Sequence, residues 1–163
     1  MVEHSIRPRH LTAGLAVLLA LASPGFTRER GKDPFFQYVA GTENIQDGSR
    51  GNLEMGVDGL TFRTHDSSVS VPYSAIKLMQ YRPDVSRKVR KAKVPWKVKP
   101  PDGGGKKNRY FAILFDDEEP KRPRHAMVLK VSPEAMRPYL AEIDLKSGKR
   151  VEVKGYEEYE SFR

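Results

Sequence analysis

Asn52-Leu53-Glu54-Met55-Gly56-Val57-Asp58-Gly59-Leu60-Thr61-Phe62 decides the fold. Leu53, Met55 and Val57 alternate with Asn52, Glu54 and Gly56. Successive side chains of an extended chain point to opposite faces, so this half reads as a strand with one apolar side. Asp58-Gly59 is a hairpin dipeptide, because a tight two-residue turn demands positive φ. Leu60 and Phe62 then face inward, and the two segments pair antiparallel. Upstream, residues 35–42 (FFQYVAGT) are rich in aromatic and β-branched residues and predict a first strand, followed by a turn over residues 44–49. Downstream, Asp66-Ser67 turns the chain, Val69 and Val71 point inward, and Pro72 ends that ladder because it has no N–H to donate. Residues 76–82 make a fifth strand and residues 125–131 (HAMVLKV) a seventh. Between them, residues 109–116 (RYFAILFD) are almost continuously apolar, which predicts a central strand covered on both faces.

A helix follows. Ser132 offers an N-cap and Pro133 an N1 residue whose missing N–H is not needed there. Met136, Tyr139, Leu140 and Ile143 recur at helical spacing, Lys146 suits the dipole of the last turn, and Gly148 suits the stop. Pro138 is expected to kink or delay the helix. Residues 150–154 suit a short extended piece, and residues 155–163 read as a frayed tail. The expectation is a mainly β domain over residues 35–154: a seven-stranded antiparallel barrel or sandwich with a C-terminal capping helix.

In order of elements this resembles a pleckstrin-homology-like or GRAM-like bacterial domain. The resemblance rests on Gly51-Asn52-Leu53, Asp58-Gly59-Leu60-Thr61-Phe62 and Val71-Pro72-Tyr73-Ser74-Ala75-Ile76, then on residues 110–115, 126–131 and the helix leading to Lys146-Ser147-Gly148-Lys149. It also resembles small secreted proteins with a Tyr-Val-Ala-Gly-Thr start. The resemblance implies a fold, not an activity. Phosphoinositide-binding members carry basic residues around the first hairpin; here that loop, residues 44–50, has one arginine, so this property is not carried over.

The N-terminus has the grammar of an export signal. Arg7, Arg9 and His10 precede the uncharged run 11–22 (LTAGLAVLLALA), and Ala20-Leu21-Ala22 places a cut after Ala22. The run is shorter than the ~20 residues of a membrane span. Residues 1–22 are thus expected to be a signal peptide and residues 23–34 a linker, with an exported protein as the result; an uncleaved inner-membrane anchor is the alternative. The absence of cysteine excludes disulfides, thiolate metal sites and a cysteine nucleophile.

The chain carries a net charge of +8. An insertion over residues 83–108 accounts for nearly all of it: from residue 84 it holds nine lysines and arginines against Asp84 and Asp102, a net of +7. Arg87, Lys88, Arg90, Lys91, Lys93, Trp96, Lys97 and Lys99 are the candidate contact residues for an anionic envelope surface or a protein partner. A solvated loop with Trp96 folded back on the sheet is the competing reading. Nucleic acid fits less well, since no aromatic platform or recognition helix accompanies the charge. No cofactor, metal ligand set or catalytic group is assigned. His65 and His125 lack companions at metal-binding spacing, residues 116–119 lack the ligand pattern of a calcium loop, and Gly103-Gly104-Gly105-Lys106-Lys107 lacks P-loop spacing. The expected role is a non-enzymatic binding module, with envelope assembly through a sheet edge as the alternative.

Overall fold

A computed structural model describes residues 35–103, 109–116 and 125–155. The expected signal, its linker, the acidic loop after Asp116 and the tail from Tyr156 lie outside the described residues. The elements are β1 (Phe36–Gly41), β2 (Arg50–Met55), β3 (Gly59–Thr64), β4 (Ser68–Pro72), a 3-10 turn (Tyr73–Ala75), β5 (Ile76–Arg82), α1 (Arg87–Arg90), β6 (Tyr110–Phe115), β7 (His125–Lys130), α2 (Pro133–Ser147) and β8 (Glu152–Val153). All eight strands belong to one sheet, in the order β4-β3-β2-β1-β7-β6-β5-β8.

The fold is mainly β with one long helix, as read from the sequence, but the sheet has eight strands, is mixed and is not closed. β8 runs parallel to β5, pairing Gln80 with Glu152 and Tyr81 with Val153. It is held there by the Lys154 N–H, which donates to the Tyr81 carbonyl (3.1 Å), and by the buried Arg109, whose guanidinium donates to the carbonyls of Lys154 (3.1 Å) and Gly155. Closure would require β4 to reach the outer edge of β5. That edge is already occupied by β8 and by the Lys149 ammonium, which donates to the carbonyls of Tyr73 (2.8 Å), Ser74 (3.2 Å) and Ile76.

The deciding hairpin pairs Leu53 with Phe62 and Met55 with Leu60. Its turn lies one residue earlier than expected: the Gly56 N–H donates to the Gly59 carbonyl (2.9 Å), so Val57 and Asp58 form the tip. Val57, expected inward, is 88% exposed there. Gly59 does not have a positive φ. Glycine is needed for close approach instead, because a Cβ at Gly59 would lie 2.5 Å from the Val71 carbonyl oxygen of β4.

α2 begins as predicted, with the Ser132 hydroxyl accepting from the Ala135 N–H (3.2 Å), and stops at Gly148 in the left-handed conformation (φ 63°). It runs continuously through Pro138, which delays nothing; the proline is exposed and removes a single backbone donor. Met136 and Ile143 are fully buried, Tyr139 and Leu140 pack beside them, and the Tyr139 ring meets Phe36 edge-on at 5.1 Å. This helical face covers a main core to which strands β1 to β7 all contribute.

Tyr38 lies fully buried in that core, stacked on Phe62. Burial, and then the Glu43 charge, push its phenol up to about 12. The folded state therefore favours neutral Tyr38, and this contribution is whole below the unfolded value near 10 and disappears as pH climbs to 12. We expect a stability loss of roughly 2 kcal/mol across that window. Urea midpoints measured between about pH 9 and 12 should fall more steeply for the wild type than for Tyr38→Phe; equal slopes would contradict the assignment. Tyr73, also raised by burial, leaves a residual slope in the variant.

Candidate functional site: a cationic strap on the outer face

β6 is buried at all six positions, so its second face also requires a cover. On that face Ala40, Leu78, Tyr110, Ala112, Leu114, Ala126 and Val128 form a second apolar cluster. The basic insertion is what covers it. Val85 and Val89 are buried in the cluster, and Ala92, Val94 and Trp96 pack against it.

Two anchors hold this strap. At its start the Ser86 hydroxyl accepts from the Val89 N–H (3.3 Å), capping the single turn α1, and donates to the Gln80 carboxamide oxygen of β5. The Gln80 amide donates in turn to Glu152 of β8. Gln80 and Ser86 are both buried, so this short network satisfies polar groups that would otherwise be costly there. At the far end Gly41 clasps Val98 in an isolated bridge: Gly41 N–H donates to the Val98 carbonyl (3.0 Å), and its carbonyl accepts from Lys97 (3.0 Å) and Val98 (3.1 Å). Between the anchors the chain alternates. Lys91, Lys93, Pro95, Lys97 and Lys99 are exposed, whereas Ala92, Val94, Trp96 and Val98 turn inward. The Val94 and Trp96 N–H groups donate to the carbonyls two residues earlier (2.9 Å each), the bond pattern of successive γ-turns.

Of the sequence-predicted site residues, Arg87, Lys88, Arg90, Lys91, Lys93, Lys97 and Lys99 are thus brought to one solvent face, all exposed. Trp96 is not with them. Its indole lies against the sheet, and its Nε1 is buried with no hydrogen-bond partner among the described residues. Arg90 pairs with Asp102 (3.2 Å) and Lys88 approaches Glu152 (3.9 Å). Arg87, Lys91, Lys93, Lys97 and Lys99 have no ion-pair partner among the described residues. A set of like charges without counter-charge on one face creates a positive potential that draws polyanions and is screened by salt.

The histidines sit at strand ends, as expected. His65 is exposed and bonds Asp66 (2.6 Å), which raises its pKa. His125 stacks on Phe115 (5.2 Å) and lies 2.9 Å from the Glu43 carboxylate. Beside it the Thr42 hydroxyl accepts from the Ala126 N–H (3.2 Å), so the group latches the end of β1 to the start of β7. Sequence reasoning missed this latch and both strap anchors. No group of three or more His, Asp or Glu side chains suited to a metal ion occurs among the described residues. None of the described helices is long and apolar enough to cross a membrane.

No protein-family model matches the chain, and no curated protein is significantly similar to it.

Proposed function

We propose that this protein is an exported, non-enzymatic binding module that docks on an anionic phospholipid surface through the solvent face of the strap, Arg87 to Lys99. The observation that supports this most is the segregation within one segment: Val85, Val89, Ala92, Val94 and Trp96 pack on the outer face of the sheet, and every lysine and arginine between them is exposed to water. Held this way, the cations meet a planar anionic partner together, with little ordering left to do on binding. Trp96 acts as the anchor of the strap and not as a headgroup contact. The scaffold is proposed to be pleckstrin-homology-like. A four-strand run from β4 to β1, continued by β7, β6 and β5, with a C-terminal helix over the inner face, supports that reading.

Vesicles containing phosphatidylglycerol test the docking. Each lysine or arginine near such a surface contributes ~1 kcal/mol. Replacing Lys91, Lys93, Lys97 and Lys99 together by glutamine is therefore expected to weaken partitioning by about two orders of magnitude or more. Wild-type binding should itself collapse toward ~1 M salt, where the screening length is ~3 Å. Partitioning that ignores both salt and the four substitutions would overturn the proposal.

A second reading is favoured by the other end of the sheet. β4, Ser68-Val69-Ser70-Val71-Pro72, is an edge strand with no charged residue, and such an edge is open to strand addition. Assembly through that edge would survive the four strap substitutions and fail on placing a lysine at Ser70.

A further inference from the structure

Beside the root of the strap, one row of the sheet is polar. Directly paired residues share a face, and the register sets Gln37 of β1 against Lys130 of β7, Lys130 against Tyr110 of β6, and Tyr110 against Arg82 of β5. Tyr110 belongs to the outer cluster, so the row lies on the outer face, at the end of the sheet from which the strap departs. Neighbouring strands are about 4.8 Å apart, which puts Lys130 and Arg82 roughly 10 Å from each other with Tyr110 between them. Both side chains are long enough to close on one group above the phenol. The three residues carry more donors than the protein satisfies. Lys130 is half-buried, and its ammonium has no hydrogen-bond or ion-pair partner among the described residues. The Tyr110 ring is buried, and its hydroxyl bonds none of the described residues. Arg82 is half-buried too; its Nε is buried without a partner, and a terminal nitrogen meets Asp84 only at 3.5 Å. Arg50 continues the row beyond Gln37 but is drawn over the Phe35 ring (4.8 Å), so the unmet donors centre on Tyr110. Partly buried donors of this kind call for acceptors.

We propose that Arg82, Tyr110 and Lys130 form a binding site for a single phosphate monoester group, separate from the diffuse positive face of the strap. A carboxylate offers two oxygens, whereas a phosphate offers three, enough to meet the guanidinium fork, the ammonium and the phenol hydroxyl together. Asp84 competes with the ligand for Arg82, so removing its charge strengthens binding. The site does not depend on the strap docking on phospholipid.

Glycerol 3-phosphate titrated into the full-length protein at about pH 7.5, where the ester is mostly dianionic, tests the site through amide chemical shifts. Saturable shifts are expected at Arg82, Tyr110 and Lys130, with none from acetate at equal ionic strength. Lys130→Gln should weaken binding by about tenfold or more and Tyr110→Phe severalfold, with the remaining amide spectrum unchanged. Asp84→Asn should tighten it severalfold, while Lys93→Gln on the strap should change it by no more than about twofold. Vesicles of phosphatidylcholine carrying phosphatidic acid form the second arm. If these bind with the same dependence on Lys130 and Tyr110 while the soluble ester does not saturate, the phosphate is that of a lipid headgroup and the site stands. Binding of neither source, or losses on Lys93→Gln as large as those on Lys130→Gln, would overturn the inference. If phosphatidylglycerol vesicles still bind through the strap lysines in that case, the phosphate site alone fails.

Discussion

Gly41→Val is expected to cost about 3 kcal/mol or more and to lower the melting temperature by roughly 10 °C or more. Gly41 ends β1 opposite Met127 of β7 and clasps the strap through Lys97 and Val98. A Cβ placed on it would lie 2.6 Å from the Ala126 carbonyl oxygen and closer still to the Tyr38 hydroxyl. Neither neighbour can yield cheaply. The Ala126 carbonyl is ladder backbone that also accepts from the Thr42 N–H (2.9 Å), and Tyr38 is fully buried. The variant must open either the β1–β7 pair or the strap clasp. Gly48→Ala provides the contrast: at φ 82° it is strained, but the nearest atom to its Cβ is a side-chain nitrogen at 3.6 Å, so about 1 kcal/mol is expected. Differential scanning calorimetry of the two variants decides it; similar small shifts would contradict the close approach at Gly41.

Val89→Asp is expected to detach the strap. Val89 is fully buried between α1 and the outer face of the sheet, among apolar neighbours that include Val85, Tyr110 and Ala112. An ionised carboxylate there has no partner, and the cost of burying it exceeds what the strap's apolar contacts return, so lifting the strap into water is the cheaper response. The loss is then capped at roughly 3 kcal/mol, the contribution of the strap's apolar contacts. Trp96, the only tryptophan, reports the event: its emission should shift to the red while far-UV circular dichroism keeps the sheet signal. Because the main core on the inner face is separate from the outer cluster, the sheet is expected to remain folded. An unshifted emission maximum would show that Val89 does not hold the strap.

Alternation made β2 and β3 legible, because Leu53, Leu60 and Phe62 had to share a buried side, and the register follows from that. The turn between them was not, since Asp58-Gly59 signals a glycine without saying whether φ or a neighbouring carbonyl demands it. The apolar run of β6 announced a second cover, but the identity of the cover was hidden. Ala92, Val94, Trp96 and Val98 keep a two-residue period, yet the lysines between them dominate the composition, so the segment read as a charge run. The cations are exposed, as a charge run implies, while the way the strap presents them depends on Ser86, Gln80 and Gly41, far apart in the chain. The extended piece over residues 150–154 was legible, but its parallel pairing with β5 and the open sheet were not, because both involve long-range contacts of Arg109 and Lys149 that leave no local pattern.

Amide hydrogen exchange of the native protein tests the central claim, that the basic segment is a folded layer with its charges outward. The Arg90 N–H bonds the Ser86 carbonyl (2.9 Å), and those of Lys97 and Val98 bond Gly41. These three amides are expected to exchange far more slowly than an open chain, at rates that track the strap's own opening, with Lys93, whose N–H has no such bond among the described residues, exchanging faster. Exchange of Arg90, Lys97 and Val98 at the unprotected rate, under conditions where β6 and β7 remain protected, would contradict the account.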